Sequence, residues 1–148
     1  MTDREELLGL KPHQALAVVA GAMALAILAI GYSGGVAPQA VRAAPVIAAA
    51  ILAWRSPAFG RWALAPILLI WLFACLAVWF YILGGPTPIR AQPVSTESLL
   101  EGVLGVFAVM GFSLFFWIRA ETRAWLGLGV AALFGGAQIW ALLLTSPI

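Results

Sequence analysis

The sequence predicts an all-α integral membrane protein, and three observations support this prediction. Apolar residues make up 64% of the 148 residues, whereas charged residues make up only 9%. A soluble domain usually carries about 25% charged residues, so this chain lacks the polar groups to cover a water-facing surface. The chain contains a series of apolar stretches, one after another. Each is close in length to the ~20 residues that a helix needs to cross a bilayer. Basic residues collect in alternate turns between these stretches, as in multi-pass proteins.

The chain is predicted to form one transmembrane domain, a bundle of five helices over residues 1–148. Residues 1–14 read as a short interfacial segment, because their acidic residues and the long apolar run behind them differ from a cleaved signal peptide. Residues 84–98 are rich in proline and are predicted to form the only sizeable loop, which faces the outside. The predicted spans are residues 15–32, 36–54, 62–83, 99–118 and 124–144.

The second predicted span is the least apolar of the five. The distribution of positive charge decides whether it is interpreted as a transmembrane helix. If residues 33–61 formed a cytoplasmic linker, the chain would have four spans, with five basic residues inside and three outside. With five spans, six basic residues lie inside (Arg4, Lys11, Arg55, Arg61, Arg119 and Arg123) and only Arg90 lies outside. The positive-inside rule therefore favours five spans, with the N-terminus in the cytoplasm and the C-terminus outside.

Arg42 is the basic residue that this arrangement places within a span. It lies six residues into the second span, about 9 Å deep at 1.5 Å per residue, and Gln138 has a similar depth in the antiparallel fifth span. Glu101 begins the fourth span on the same face, and Gln39 lies one turn before Arg42. An intramembrane Arg costs at least about 2.5–3.5 kcal/mol at the bilayer centre and is a functional-site hypothesis. We therefore expect a polar site or partner contact at Arg42, Gln39, Glu101 and Gln138. The alternative is that Arg42 extends to the outer headgroups while Glu101 caps its helix.

Small residues at four-residue spacing predict where helices touch, because they let backbones approach closely. Such residues occur in spans one, two and five, and the candidates are Ala22, Ala26, Ala44, Ala48, Gly135 and Gly136. The spacing alone leaves open whether these residues pack inside the chain or against another molecule.

The chain offers few groups for chemistry. His13 is the single histidine and Cys75 the single cysteine, so haem with paired His ligands, zinc, di-iron and CxxC sites are not expected. Nucleotide-binding, zinc-protease and serine-hydrolase motifs are absent, and there is no basic stripe for nucleic acid. We therefore expect no catalytic residue, metal or cofactor, and we predict that the protein is not an enzyme.

Two functions remain compatible with these residues. The first is a non-catalytic accessory or assembly subunit of a larger membrane protein complex, in contact with lipids and with other membrane subunits or further copies of itself. The second is a small membrane component of a solute transporter with its polar site around Arg42. Spans rich in Ala, Leu and Trp, without lipidation or organelle-targeting tails, predict the inner membrane of a bacterium.

Overall fold

The structure is a computed structural model that describes residues 9–82, 96–118 and 122–145. Over these residues the chain is all-α, with five helices that are each long and apolar enough to cross a membrane. The predicted all-α class and the five apolar helices are thus confirmed, and residues 33–61 are helical apart from Gly35 and Ser56. The helices are α1 (Pro12–Gly34), α2 (Val36–Arg55), α3 (Pro57–Ile82), α4 (Thr96–Trp117) and α5 (Ala124–Thr145).

Helices α1, α3 and α4 begin earlier than the sequence predicted, and α3 begins at Pro57 where the predicted third span begins at residue 62. Helix α1 begins at Pro12, inside the segment expected to precede the first span, because proline fits the first turn, where its missing N–H is not needed. The backbone N–H of Lys11 donates to Oε1 of Gln14 at 3.1 Å and supports this start. Helix α4 begins at Thr96, so its first turn takes up the end of the predicted loop. Residues 1–8 of the predicted interfacial segment and 84–95 of the predicted loop lie outside the described residues.

Single residues join α1 to α2 and α2 to α3, so both connections are tight. Gly35 has a φ of 112°, a conformation that residues with a side chain rarely adopt. Ser56 joins α2 to α3, and its backbone N–H donates to the carbonyl of Leu52 at 2.8 Å. A Cβ atom on Gly60 would overlap the backbone of Ala53, so α2 and α3 meet there with backbone against backbone.

Helix α3 lies at the centre of the bundle and contacts each of the other four helices. Helix α4 packs against α1 and α3, whereas α5 packs against α2 and α3. Glycines allow these approaches: Gly111 of α4 lies against Leu68, and Gly135 of α5 lies against Pro66. The largest fully buried apolar side chains are Leu16, Met23, Ile27, Leu64, Ile67, Leu68 and Leu104.

The two ends of the bundle are distinguished by their polar contacts. We call one the Arg42 end, where α1 passes into α2 and α5 finishes at Thr145. We call the other the Arg61 end, where α2 passes into α3 and α4 finishes near Ile118. Successive helices therefore run in opposite directions between these two ends.

Candidate polar site at the Arg42 end

Arg42 reaches from α2 to the C-terminal end of α5. Its Nε donates to Oγ1 of Thr145 at 2.6 Å, and its Nη2 donates to the main-chain oxygen of Thr145 at 3.0 Å. Thr145 is the last residue of α5, and the final carbonyls of a helix have no partner within it. A positive charge is also stabilised there by the helix dipole. Arg42 therefore caps α5 from the neighbouring helix.

The Thr145 hydroxyl is held in a fixed orientation. It accepts from Arg42 and donates back into α5, to the carbonyl of Ala141 at 2.8 Å, with the carbonyl of Leu142 at 3.2 Å. Both the donor and an acceptor site of this hydroxyl are therefore in use. The contact is a defined structural link between α2 and α5.

Gln138 lies deeper in the bundle than the Arg42 guanidinium. Its side chain is 0% exposed, and its Nε2 donates to the main-chain oxygen of Arg42 at 3.3 Å. Its Oε1 is buried and has no hydrogen-bond partner within the described part of the chain. A buried acceptor left unsatisfied costs about 1–3 kcal/mol. Gln138 is thus both a link between α2 and α5 and the least satisfied polar group near Arg42.

The structure brings Arg42 and Gln138 together but separates them from the other two candidates. Gln39 lies against α1, where a Cβ on Gly31 would come within 2.8 Å of its Cγ. Glu101 belongs to α4, and α2 and α4 are not in contact in the described ranges. Its main-chain oxygen instead accepts from Sγ of Cys75 at 3.2 Å. The expected approach of Glu101 to Arg42 is therefore not found, because α1 and α3 are the neighbours of α4.

Thr145 was not among the site residues predicted from the sequence. It could have been predicted from its position. A guanidinium that lies one to two turns inside a helix end needs acceptors, and a neighbouring helix that ends at the same level supplies carbonyls without a partner in that helix. Thr145 ends the antiparallel helix α5 close to the level of the start of α2. Its carbonyl, and not a carboxylate, meets the charge of Arg42.

A second set of polar contacts, also missed from the sequence, lies at the Arg61 end. Nη1 of Arg61 donates to the carbonyl of Ile118 at 2.9 Å, and its guanidinium lies 4.4 Å from the ring centroid of Phe115. Nε1 of Trp62 donates to Oγ1 of Thr122 at 2.8 Å. Arg61 and Trp62, near the start of α3, therefore contact residues at the two ends of the connection between α4 and α5.

The small residues proposed for helix packing fall into two groups. Ala26 and Gly135 are buried, with Gly135 against Pro66, and Ala22 is partly buried. The other three, Ala44, Ala48 and Gly136, are exposed. A Cβ added at Gly136, or at Gly129 two turns earlier, would meet nothing within 4 Å. These small residues point away from the bundle.

Comparison with known proteins gives no relative: no family model, no curated protein and no solved structure matches this chain. Among the described residues, no group of three or more His, Cys, Asp or Glu side chains is placed to hold a metal ion.

Proposed function

We propose that this protein is a non-catalytic accessory or assembly subunit of a larger membrane protein complex. The supporting observation is an outward face of α5 made of small residues, Gly129, Ala132 and Gly136, which we call the glycine face. Positions three, four and seven apart share one side of a helix. Within a bilayer, helices associate through close packing, and small residues permit it. The glycine face fits a helix of a partner subunit, since contact with lipid tails alone does not require small residues.

The remaining polar contacts agree with a structural role. Arg42 and Arg61 each donate to a carbonyl at or just beyond the end of a neighbouring helix, so the two guanidinium groups hold the bundle together. Exposed Ala44 and Ala48 on α2 offer a further outward surface of small residues.

The test is gentle extraction from the native membrane, followed by native size analysis and mass spectrometry of co-migrating proteins. The matched variants are Ala132→Ile, on the glycine face, and Ala137→Ile, which is also exposed on α5 but lies on another side of it. We expect a partner in fixed stoichiometry that is lost in Ala132→Ile and retained in Ala137→Ile. A wild-type chain that migrates alone, or a partner retained equally by both variants, would contradict the proposal.

We further propose that the bundle lies in a bacterial inner membrane with the Arg61 end in the cytoplasm. Support comes from the positions of the described basic residues. Lys11, Arg55 and Arg123 lie at or next to helix ends on the Arg61 side, Arg61 lies about one turn into α3 on that side, and Arg42 lies toward the other end. Cytoplasmic turns carry an excess of Lys and Arg. The bacterial origin is supported by composition alone, namely Ala-, Leu- and Trp-rich spans.

The second candidate function is a small component of a solute transporter with its polar site around Arg42. One observation favours it: Oε1 of Gln138 is a buried acceptor without a partner in the described chain, on a side chain whose Nε2 donates to the main-chain oxygen of Arg42. The substitution Arg42→Leu separates the two functions. A transporter component would lose anion uptake while its complex still assembles, whereas an accessory subunit would leave uptake unchanged.

A further inference from the structure

We propose that the outward edge of the Arg42 guanidinium binds a phosphate group at the Arg42 end of the bundle. The inference goes beyond the role of an accessory subunit and does not depend on a partner complex. It also names a ligand class for the polar site on which the second candidate function rests.

The first argument is the geometry of the donors. A guanidinium has five N–H donors in one plane, arranged along two edges. The edge formed by Nε and Nη2 is occupied, because it donates to Oγ1 and to the main-chain oxygen of Thr145. The other edge, formed by Nη1 and the second hydrogen of Nη2, makes no hydrogen bond to the described residues, since the bonds of the guanidinium to them are the two to Thr145. Two parallel N–H groups of this kind match two oxygens of one phosphate.

The second argument is the uncompensated charge. Within the described ranges, the acceptors of Arg42 belong to Thr145, which is neutral. Carbonyls at a helix C-terminus offset only part of a full positive charge, because the dipole corresponds to about half an elementary charge. Phosphate supplies the missing negative charge together with the oxygens that the free edge requires.

The third argument is the position of the group. The guanidinium reaches the last residue of α5, so its free edge lies at the end of the bundle. Apolar side chains border this region, since Val41 beside Arg42 and Leu144 beside Thr145 are 42% and 62% exposed. A charged edge beside exposed apolar side chains fits a phospholipid, with the phosphate on Arg42 and the tails along α2 and α5. A free phosphate uses the same donors.

The experiment measures phosphate binding by the purified full chain in a phosphate-free detergent. Native mass spectrometry follows titration with phosphatidylglycerol, with diacylglycerol as the matched lipid that lacks phosphate, and competition with inorganic phosphate. The variants are Arg42→Gln and, as a control on the same helix, the exposed Arg55→Gln. Arg42→Lys keeps a cation at the end of α5 but has no planar pair of donors.

We expect one saturable phosphatidylglycerol on the wild-type chain and at least about tenfold weaker binding to Arg42→Gln, the usual effect of losing a charge-assisted hydrogen bond. Arg55→Gln should bind as the wild type does. Arg42→Lys should bind more weakly than the wild type, and it carries the test if Arg42→Gln does not fold. Competition by inorganic phosphate identifies a soluble phosphate as the source, and its failure to compete identifies a lipid headgroup.

Three results would overturn the proposal. Diacylglycerol could bind as tightly as phosphatidylglycerol, the wild type could show no saturable binding of either phosphate compound, or Arg42→Gln could bind no differently from Arg55→Gln. Because the purified chain is measured without partners, these outcomes are independent of whether a complex exists.

Discussion

Arg42 and Thr145, 103 positions apart in the sequence, are joined by two hydrogen bonds of 2.6 and 3.0 Å. The pair fastens the end of α5 to α2. Helix α5 has only α2 and α3 as neighbours within the described chain. This contact and the hydrogen bond from Gln138 to the main-chain oxygen of Arg42 link it to α2. Arg42, which lies inside α2 and not at its end as Arg55 does, therefore holds α5 in place.

We predict that Arg42 and Thr145 are energetically coupled. Thr145→Val removes the hydroxyl acceptor at almost unchanged volume, and Arg42→Gln removes the charge and the fork of donors. A double-mutant cycle on the free energy of unfolding in detergent should give a coupling of about 1–2 kcal/mol, the range for charge-assisted bonds and for polar contacts in membranes. Ser113→Ala is the control, because that exposed hydroxyl donates only within α4, to Val109. A coupling near zero would mean that the two bonds add nothing to stability.

The proximity of Arg42 and Gln138 shows what can be predicted by counting residues from the ends of helices. Both residues lie about two turns from the same end of antiparallel helices, and a fixed rise per residue places them at one level. Counting gives the position along the bundle axis but not the lateral order of helices. Glu101 has a suitable depth, yet it lies on α4, which is not a neighbour of α2 in the described ranges.

The small residues show a second limit of sequence reasoning. Ala26 and Ala44 both belong to four-residue repeats, but the first is buried and the second is exposed. In a soluble helix, polar residues would mark the outer side. In these spans both sides are apolar, so the pattern predicts a contact without saying which molecule makes it.

We predict that Gly60 cannot carry a side chain. Its Cβ would overlap the backbone of Ala53, and backbone atoms at a one-residue connection cannot move aside independently. Gly60→Val should lower the free energy of unfolding by about 3 kcal/mol or more through overpacking. Gly21→Ala is the control, since a Cβ there meets nothing within 4 Å and alanine favours a helix. Equal stability of the two variants in denaturant titration would show that α2 and α3 are less closely packed than in this structure.

We predict that Arg61 holds the connection between α4 and α5. Arg61→Gln removes the bond to the carbonyl of Ile118 and the contact with the Phe115 ring. The loss should be about 1–3 kcal/mol, as for a hydrogen bond to a charged group. Hydrogen exchange should become faster at the last turn of α4 and the first turn of α5, and it should be unchanged at the α1–α2 connection. Arg55→Gln, on an exposed position, is the control. Uniform acceleration along the chain would contradict a local role.

We predict that Gln138 tolerates an apolar replacement of similar size. Gln138→Met removes the 3.3 Å bond to the carbonyl of Arg42, but it also removes the unsatisfied buried Oε1. These terms oppose each other, so the free energy of unfolding should change by less than about 1 kcal/mol. Gln138→Glu, which adds a carboxylic acid at a fully buried position, should be clearly less stable. A loss above about 2 kcal/mol in Gln138→Met would reveal a bound partner of Oε1, as the transporter hypothesis requires.

We predict that a thiol reagent reaches the two ends of the bundle from opposite sides of the membrane. Val36 and Pro57 are exposed, uncharged, and the first residues of α2 and α3, so they form a matched pair at the Arg42 end and the Arg61 end. Single cysteines are introduced there by Val36→Cys and Pro57→Cys in a Cys75→Ala background, which removes the single native thiol. Because cytoplasmic turns are enriched in basic residues, a membrane-impermeant maleimide should label Val36→Cys in intact cells and Pro57→Cys only after permeabilisation. The reverse pattern would overturn the proposed orientation. Labelling of both sites in intact cells would show that α2 does not cross the membrane, in spite of its length and hydropathy.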